Sequence, residues 1–284
     1  MRTAGLAGVP WMLAAMLCFA SHDAIAKSLL ETYPLAQLVL IGSATGLLAI
    51  SPRLHRRGWR RTFVVPRPEL HLLRAATIAA DIALFYASVR LMPLAQCLTI
   101  YQAMPLIAAV MSIFVLRERL SPRLWLAILL GFFGVMLVIH PTGEGIAWPA
   151  VLALFGTTVY AVCNVLTRLL RGAGDLTLIG WQNATTVVCS AIAVPFFWQP
   201  MEWSDVAQAA ALGLLTAAGA LMLNRSIILS PASLILPFHY SIILWGMALG
   251  WLRWRDIPDG WMLAGAAVVV ASGIIIARLA PREA

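Results

Sequence analysis

Charge is scarce in this chain. Only 11% of its 284 residues are Asp, Glu, Lys or Arg, 61% are hydrophobic, and the mean hydropathy is +0.87. Soluble globular domains do not have this balance, so an integral membrane protein is expected. Lysine is nearly absent: Lys27 is the single one, so 19 of the 20 basic residues are arginines. A pI near 10.0 could serve nucleic acid, but the arginines cluster between apolar runs, as topology-setting residues do, and no nucleic-acid partner is expected. The four cysteines, Cys18, Cys97, Cys163 and Cys189, lie inside apolar segments without CxxC or CxxH spacing. That excludes a disulfide framework and a zinc site, and leaves small buried apolar side chains. HExxH, GxSxG, DxD and GxxxxGK[ST] are also missing. The chain therefore offers neither the cluster of a membrane-embedded enzyme nor a nucleotide site for ATP-driven pumping. No metal, no cofactor and no enzymatic activity are expected.

What is present is a series of long apolar runs. A spanning helix takes about 20 residues, so ten spans use about 200 positions and leave no room for a soluble domain. The runs fall at 8–28, 34–51, 72–90, 93–116, 124–140, 148–170, 176–197, 207–228, 231–251 and 261–280. Strand alternation is missing, and an open sheet in lipid would leave backbone groups unpaired, so the expected fold class is an all-α integral membrane protein with ten transmembrane helices. Trp11, Trp148, Trp198, Trp203, Trp251, Trp254 and Trp261 sit near run ends, where indole rings settle at the interface. With both termini cytoplasmic, sixteen basic residues lie inside, against Lys27, Arg90, Arg253 and Arg255 outside. That asymmetry sets the expected orientation in the plasma (bacterial inner) membrane.

The chain also repeats itself. A shift of 138 pairs residues 85–95 with 223–233, matching Ser88 with Ser226, Leu91 with Leu229 and Pro93 with Pro231, and lays Arg117-Glu118 on Arg255-Asp256. A shift of 141 lays Asp23 on Asn164, Lys27 on Arg168 and Thr45 on Thr186. The expectation is two five-helix repeats, residues 1–140 and 148–284, joined near 141–147. Because five is odd, the halves have opposite orientations, a recurring plan of secondary transporters with the substrate site near the midplane.

The segments ASHDAIAK (20–27), LHLLRA (70–75), LMPLAQC (91–97), YQAMPLIAAVMS (101–112), LRERLSPRLW (116–125) and GFFGVMLVIHP (131–141), in this order and spacing, resemble the drug/metabolite transporter superfamily in its EamA-type ten-helix branch. The resemblance implies two EamA-like repeats and a secondary carrier of small metabolites working by alternating access. The Asp-x-x-x-Lys of the first helix and the Leu-Arg opening the third look most like carriers of S-adenosylmethionine or similar metabolites.

Polar residues inside spans are costly and usually face a cavity. Asp23 and Lys27 are one turn apart and share a face of the first helix. They read either as a neutralised ion pair or as a switch in which Asp23 exchanges Lys27 for a substrate ammonium or a proton. Asp81 sits mid-span among Ile78, Ala79, Ala80 and Ile82 with no cation within a turn; it reads as a proton-carrying site or as a neutral acid bonded to a neighbouring helix. His22 and His239 are titratable candidates or packing residues. Pro105 and Pro237 interrupt the fourth and ninth helices, freeing carbonyls for a ligand or simply kinking the chain. Near them lie Gln96, Tyr101, Gln102, His239 and Tyr240. The expected substrate pocket is Asp23, Asp81, Gln96, Tyr101, Gln102, His239 and Tyr240, with Lys27, His22, Pro105 and Pro237 in coupling or gating. Two acids and several rings suit a cationic or zwitterionic metabolite: amino acids or derivatives, S-adenosylmethionine-like, coupled to protons or to exchange. The other class is a membrane-embedded structural or assembly subunit, or an enzyme without transport activity. The expected partners are a small-molecule substrate and the lipid bilayer, and the assembly is a monomer or a homodimer.

Overall fold

The computed structural model describes residues 7–115, 122–139, 148–170, 172–230, 235 and 238–279. Pro237, Pro231, Arg117, Glu118 and the 141–147 junction lie outside the described residues. Every regular element described is an α-helix: α1 Val9–Leu30, α2 Leu35–Arg57, α3 Trp59–Phe63, α4 Pro68–Leu91, α5 Leu94–Tyr101, α6 Met104–Val115, α7 Pro122–Ile139, α8 Trp148–Leu169, α9 Asp175–Phe197, α10 Trp203–Leu229, α11 Ser241–Trp254 and α12 Gly260–Leu279. Among the described residues, 8 helical stretches are long and apolar enough to cross a membrane, and Gly260–Ile276 is a shorter apolar one.

Local chemistry sets the ends. Pro10 and Pro68 stand in the first turns of α1 and α4, where a missing N–H costs nothing. Gly58 closes α2 with φ +90, a conformation open to glycine, and the turn leads into α3, a short helix that the hydropathy pattern does not announce. The fourth span, 93–116, is divided where Pro105 was expected to interrupt it: α5 ends at Tyr101 and α6 begins at Met104. Pro105 opens the second piece and cannot donate to the Tyr101 carbonyl, so the chain turns through Gln102 and Ala103.

Five helix pairs carry most of the packing: α7 with α12, α1 with α10, α4 with α8, α2 with α9, and α2 with α10. Small residues allow the close crossings. A Cβ on Gly213 of α10 would overlap the Gly42 carbonyl and the Thr45 hydroxyl of α2, and Thr45 also hydrogen-bonds the Ala210 carbonyl at 3.0 Å. Gly131 and Gly134 of α7 meet Ser272, Gly265 and Val269 of α12 in the same way. Such contact is what drives helix association where lipid removes the hydrophobic incentive. Ends are tied by polar side chains: Gln37, 1% exposed, donates to the Gln199 carbonyl at 2.8 Å and accepts from its N–H at 3.1 Å. Leu48, Leu126, Phe133, Phe196 and Leu244 point outward and exposed, a surface that lipid solvates.

Gly213→Leu is expected to destabilise the protein by about 1–3 kcal/mol or more through overpacking, whereas Gly172→Ala, with nothing within 4 Å, changes stability by less than about 0.5 kcal/mol. Thermal unfolding in detergent distinguishes the two.

Candidate functional site

Asp81 lies on α4 among apolar neighbours and is 8% exposed. A carboxylate there needs donors, and the break after α5 supplies one: the Tyr101 hydroxyl donates to Asp81 Oδ1 at 3.1 Å. Tyr101 meets Phe85 edge to face, centroids 4.9 Å apart at 83°, and Phe85 meets Tyr86 at 5.3 Å and 67°. Tyr86 continues the path to α1, its hydroxyl 3.3 Å from His22 Nε2. His22 Nδ1 lies 2.9 Å from Asp23 Oδ1. With the proton on Nδ1, His22 donates to Asp23 and accepts from Tyr86, which satisfies all three groups. Two acids on two helices are thus joined by one continuous polar and aromatic wall.

Glycine makes room for it. A Cβ on Gly156 of α8 would overlap the Tyr101 hydroxyl, so the α8 backbone passes directly behind Tyr101. Asn164 and Tyr160 lie on the same helix, and Tyr160 is within electrostatic reach of Asp81.

The remaining expected residues separate into other groups. Gln102 Nε2 lies 3.4 Å from His239 Nδ1, a contact between α5's end and the turn before α11. His239 meets Tyr240 edge-on at 6.4 Å, but the Tyr240 hydroxyl packs over Gly273 of α12. Gln96 donates to the Val138 carbonyl of α7 at 3.0 Å. Its amide serves helix packing, and the structure does not bring Gln96 or Tyr240 to the two acids. Pro105 shapes the Tyr101 turn from the start of α6.

Lys27 is not paired with Asp23. Its ammonium donates to the Met92 carbonyl at 2.9 Å, lies 4.0 Å from Asp256 Oδ2 and sits over the Trp254 ring at 4.8 Å. Trp254 in turn donates to Glu31 at 2.7 Å. Lys27, Met92, Trp254 and Asp256, with Arg90, Leu91 and Pro93, line a groove of about 270 Å³ at the bundle end. The one-turn spacing of Asp23 and Lys27 permits a pair, but each finds a nearer partner, His22 for one and Asp256 for the other. Among the described residues no group of three or more His, Cys, Asp or Glu could hold a metal ion.

Sequence reasoning missed Tyr86, 7% exposed, and Phe85. The only signal was a pair of rings one turn beyond Asp81.

Residues 6–140 match the EamA-like transporter family. Curated relatives align along nearly the whole chain. A riboflavin transporter from Rhizobium johnstonii is 24% identical, covering 95% of this chain and 91% of its own. A pseudopaline exporter from Pseudomonas aeruginosa is 23% identical over 95% and 96%. An S-adenosylmethionine uptake transporter from Rickettsia bellii is 19% identical over 95% and 92%. One solved crystal structure of a protein, at 19% identity, covers 98% of this chain and 99% of that one with TM-score 0.63, a likeness of fold alone. The first half of the chain thus carries an EamA-like transporter unit, the whole chain aligns with the transporters named above, and it is an integral membrane protein.

Gly156→Ala is expected to push Tyr101 off Asp81 at a cost of about 1–3 kcal/mol. Adding Tyr101→Phe removes the overlapping hydroxyl, so the double variant regains part of that loss. A double-mutant cycle in thermal stability checks this, and strict additivity contradicts the contact.

Proposed function

We propose that this chain is a secondary active transporter that moves small cationic or zwitterionic organic metabolites by alternating access, coupled to protons or to exchange. The observation that carries the reading is the buried Asp81, held by Tyr101 and joined through Phe85, Tyr86 and His22 to Asp23. A substrate ammonium takes a carboxylate, and its planar part takes the ring wall. Asp23 is the nearer to the open side of the cluster, with 13% of its side chain exposed, and receives the substrate; Asp81 carries the proton or the second contact.

Inverted repeats over 1–140 and 148–284 supply the moving parts. In support, the first helix of one half packs on the third of the other in both directions, α1 on α10 and α8 on α4. Alternating access then needs only that these pairs rock about the acids. With both termini cytoplasmic, the Lys27 groove opens outward, and the Lys27, Asp256 and Trp254 contacts close that side. One copy encloses the site, and a homodimer would not alter it.

The names of the relatives supply two chemistries to test: S-adenosylmethionine, which bears an amino-acid head and a sulfonium, and riboflavin, a neutral flavin that would use the rings of Phe85 and Tyr101 rather than the acids. Purified protein is screened by thermal unfolding against amino acids, S-adenosylmethionine, polyamines and riboflavin. A ligand at about 100 times its dissociation constant stabilises the fold by about 2.7 kcal/mol. The expected result is a response to an amine-bearing compound, weakened at least tenfold in affinity by Asp23→Asn and by Asp81→Asn. A response to riboflavin that both substitutions leave intact would establish the neutral-flavin reading instead.

A further inference from the structure

Arg74 counts in the sequence as one more basic residue near a span end, but the fold takes it inside. It is 9% exposed and wedged between α4, α8 and α9. Its Nε donates to Thr167 Oγ1 at 2.7 Å, one terminal nitrogen to the Leu178 carbonyl at 3.3 Å, and the other to Gln182 Oε1 at 3.5 Å. All three partners are neutral, and no ion pair to Arg74 occurs among the described residues. A guanidinium removed from water without a counter-charge is costly, and two of its five N–H donors have no partner in these contacts.

A second observation points the same way. Beside Arg74, one turn back on α4, is His71, 2% exposed, whose ring is 5.8 Å from that of Trp181 on α9. His71 Nδ1 and Trp181 Nε1 are both buried without a hydrogen-bond partner. Leu178, Trp181 and Gln182 share one face of α9, and His71, Arg74, Ile78 and Asp81 share the opposing face of α4. Asp81, the acid on this face, takes its donor from Tyr101, so the end around Arg74 and Trp181 is left with the guanidinium charge and an unpartnered indole N–H. The chemistry that satisfies a guanidinium and an indole N–H together is an oxyanion, carboxylate or phosphate.

We infer that Arg74, with Trp181 and His71, is the oxyanion subsite of the transported molecule. Asp81 stands seven residues further along the same helix face, about 10.5 Å at 1.5 Å per residue, and Tyr160 of α8 is within electrostatic reach of both Arg74 and Asp81. The inference rests on the transport reading above and sharpens it: the substrate is a zwitterion whose ammonium is held at the acids and whose carboxylate or phosphate is held at Arg74.

The test uses the full chain in phosphatidylcholine nanodiscs, with affinities read from ligand-dependent thermal unfolding. The probes are 8-aminooctanoate, 1,8-diaminooctane and inorganic phosphate. Arg74→Gln and Trp181→Phe are each expected to lower the ratio of amino-acid to diamine affinity, at least tenfold for Arg74→Gln. A ratio unchanged in both variants overturns the subsite. Phosphate reads the subsite without the amine: general salt exclusion stabilises every variant alike, so an excess stabilisation of wild type over Arg74→Gln supports the oxyanion site, and equality overturns it. If that excess persists while neither amine binds, the ammonium-binding reading fails and the oxyanion subsite stands. If phosphatidylglycerol in the discs produces the Arg74-dependent stabilisation and the soluble probes do not, the occupant is a lipid headgroup and the substrate assignment is overturned.

Discussion

A carboxylate inside a bundle of apolar helices has to be given hydrogen-bond donors from the protein, because lipid supplies none and water is largely shut out. Asp81 is the residue on which this constraint falls hardest. Its donor, Tyr101, is the last residue of α5, where the fourth span breaks, and the break follows from Pro105, which cannot continue the backbone ladder. Tyr101 also needs the space behind it, which Gly156 leaves open on α8. One buried charge thus accounts for a proline, a glycine and a tyrosine on three helices, and the ring wall running from Tyr101 to His22 extends the arrangement to a second acid.

The scaffold around this centre is built for close approach rather than for oil-like burial. Gly42, Gly46 and Gly213 bring α2 against α10, and Gly134 and Gly265 bring α7 against α12. Surfaces pressed together through small residues can shift without a large apolar cost in lipid, since Leu against Leu and Leu against acyl chain are nearly equivalent. Polar locks such as Gln37 with Gln199, or Tyr33 with Asp205 at 2.6 Å, hold particular ends in register.

Much of this was legible from residue order. Long apolar runs announce the helices, and the costly groups His22, Asp23, Asp81 and Tyr101 stand out against them and come together. What was hidden depends on partners far away in sequence. Lys27 finds Asp256, and the one-turn spacing to Asp23 on its own helix gives no hint of that competition. Gln96 looks like a pocket residue but spends its amide on the Val138 carbonyl. Arg74 looks like an interfacial arginine because span ends blur by a few residues, and a shift of one turn decides whether its charge is solvated or buried. Tyr86 carries no signal beyond being an aromatic in an apolar run.

Asp81, proposed to carry either the proton or a second substrate contact, is the residue on which the two forms of coupling part. Proteoliposomes containing wild type or Asp81→Asn, loaded with the amine-bearing ligand found by the unfolding screen, allow two fluxes to be measured: exchange of labelled for unlabelled ligand, and net accumulation against its gradient driven by a pH difference. With Asp81 as the proton carrier, Asp81→Asn retains exchange and loses pH-driven accumulation. Accumulation at the wild-type rate in the variant would contradict it.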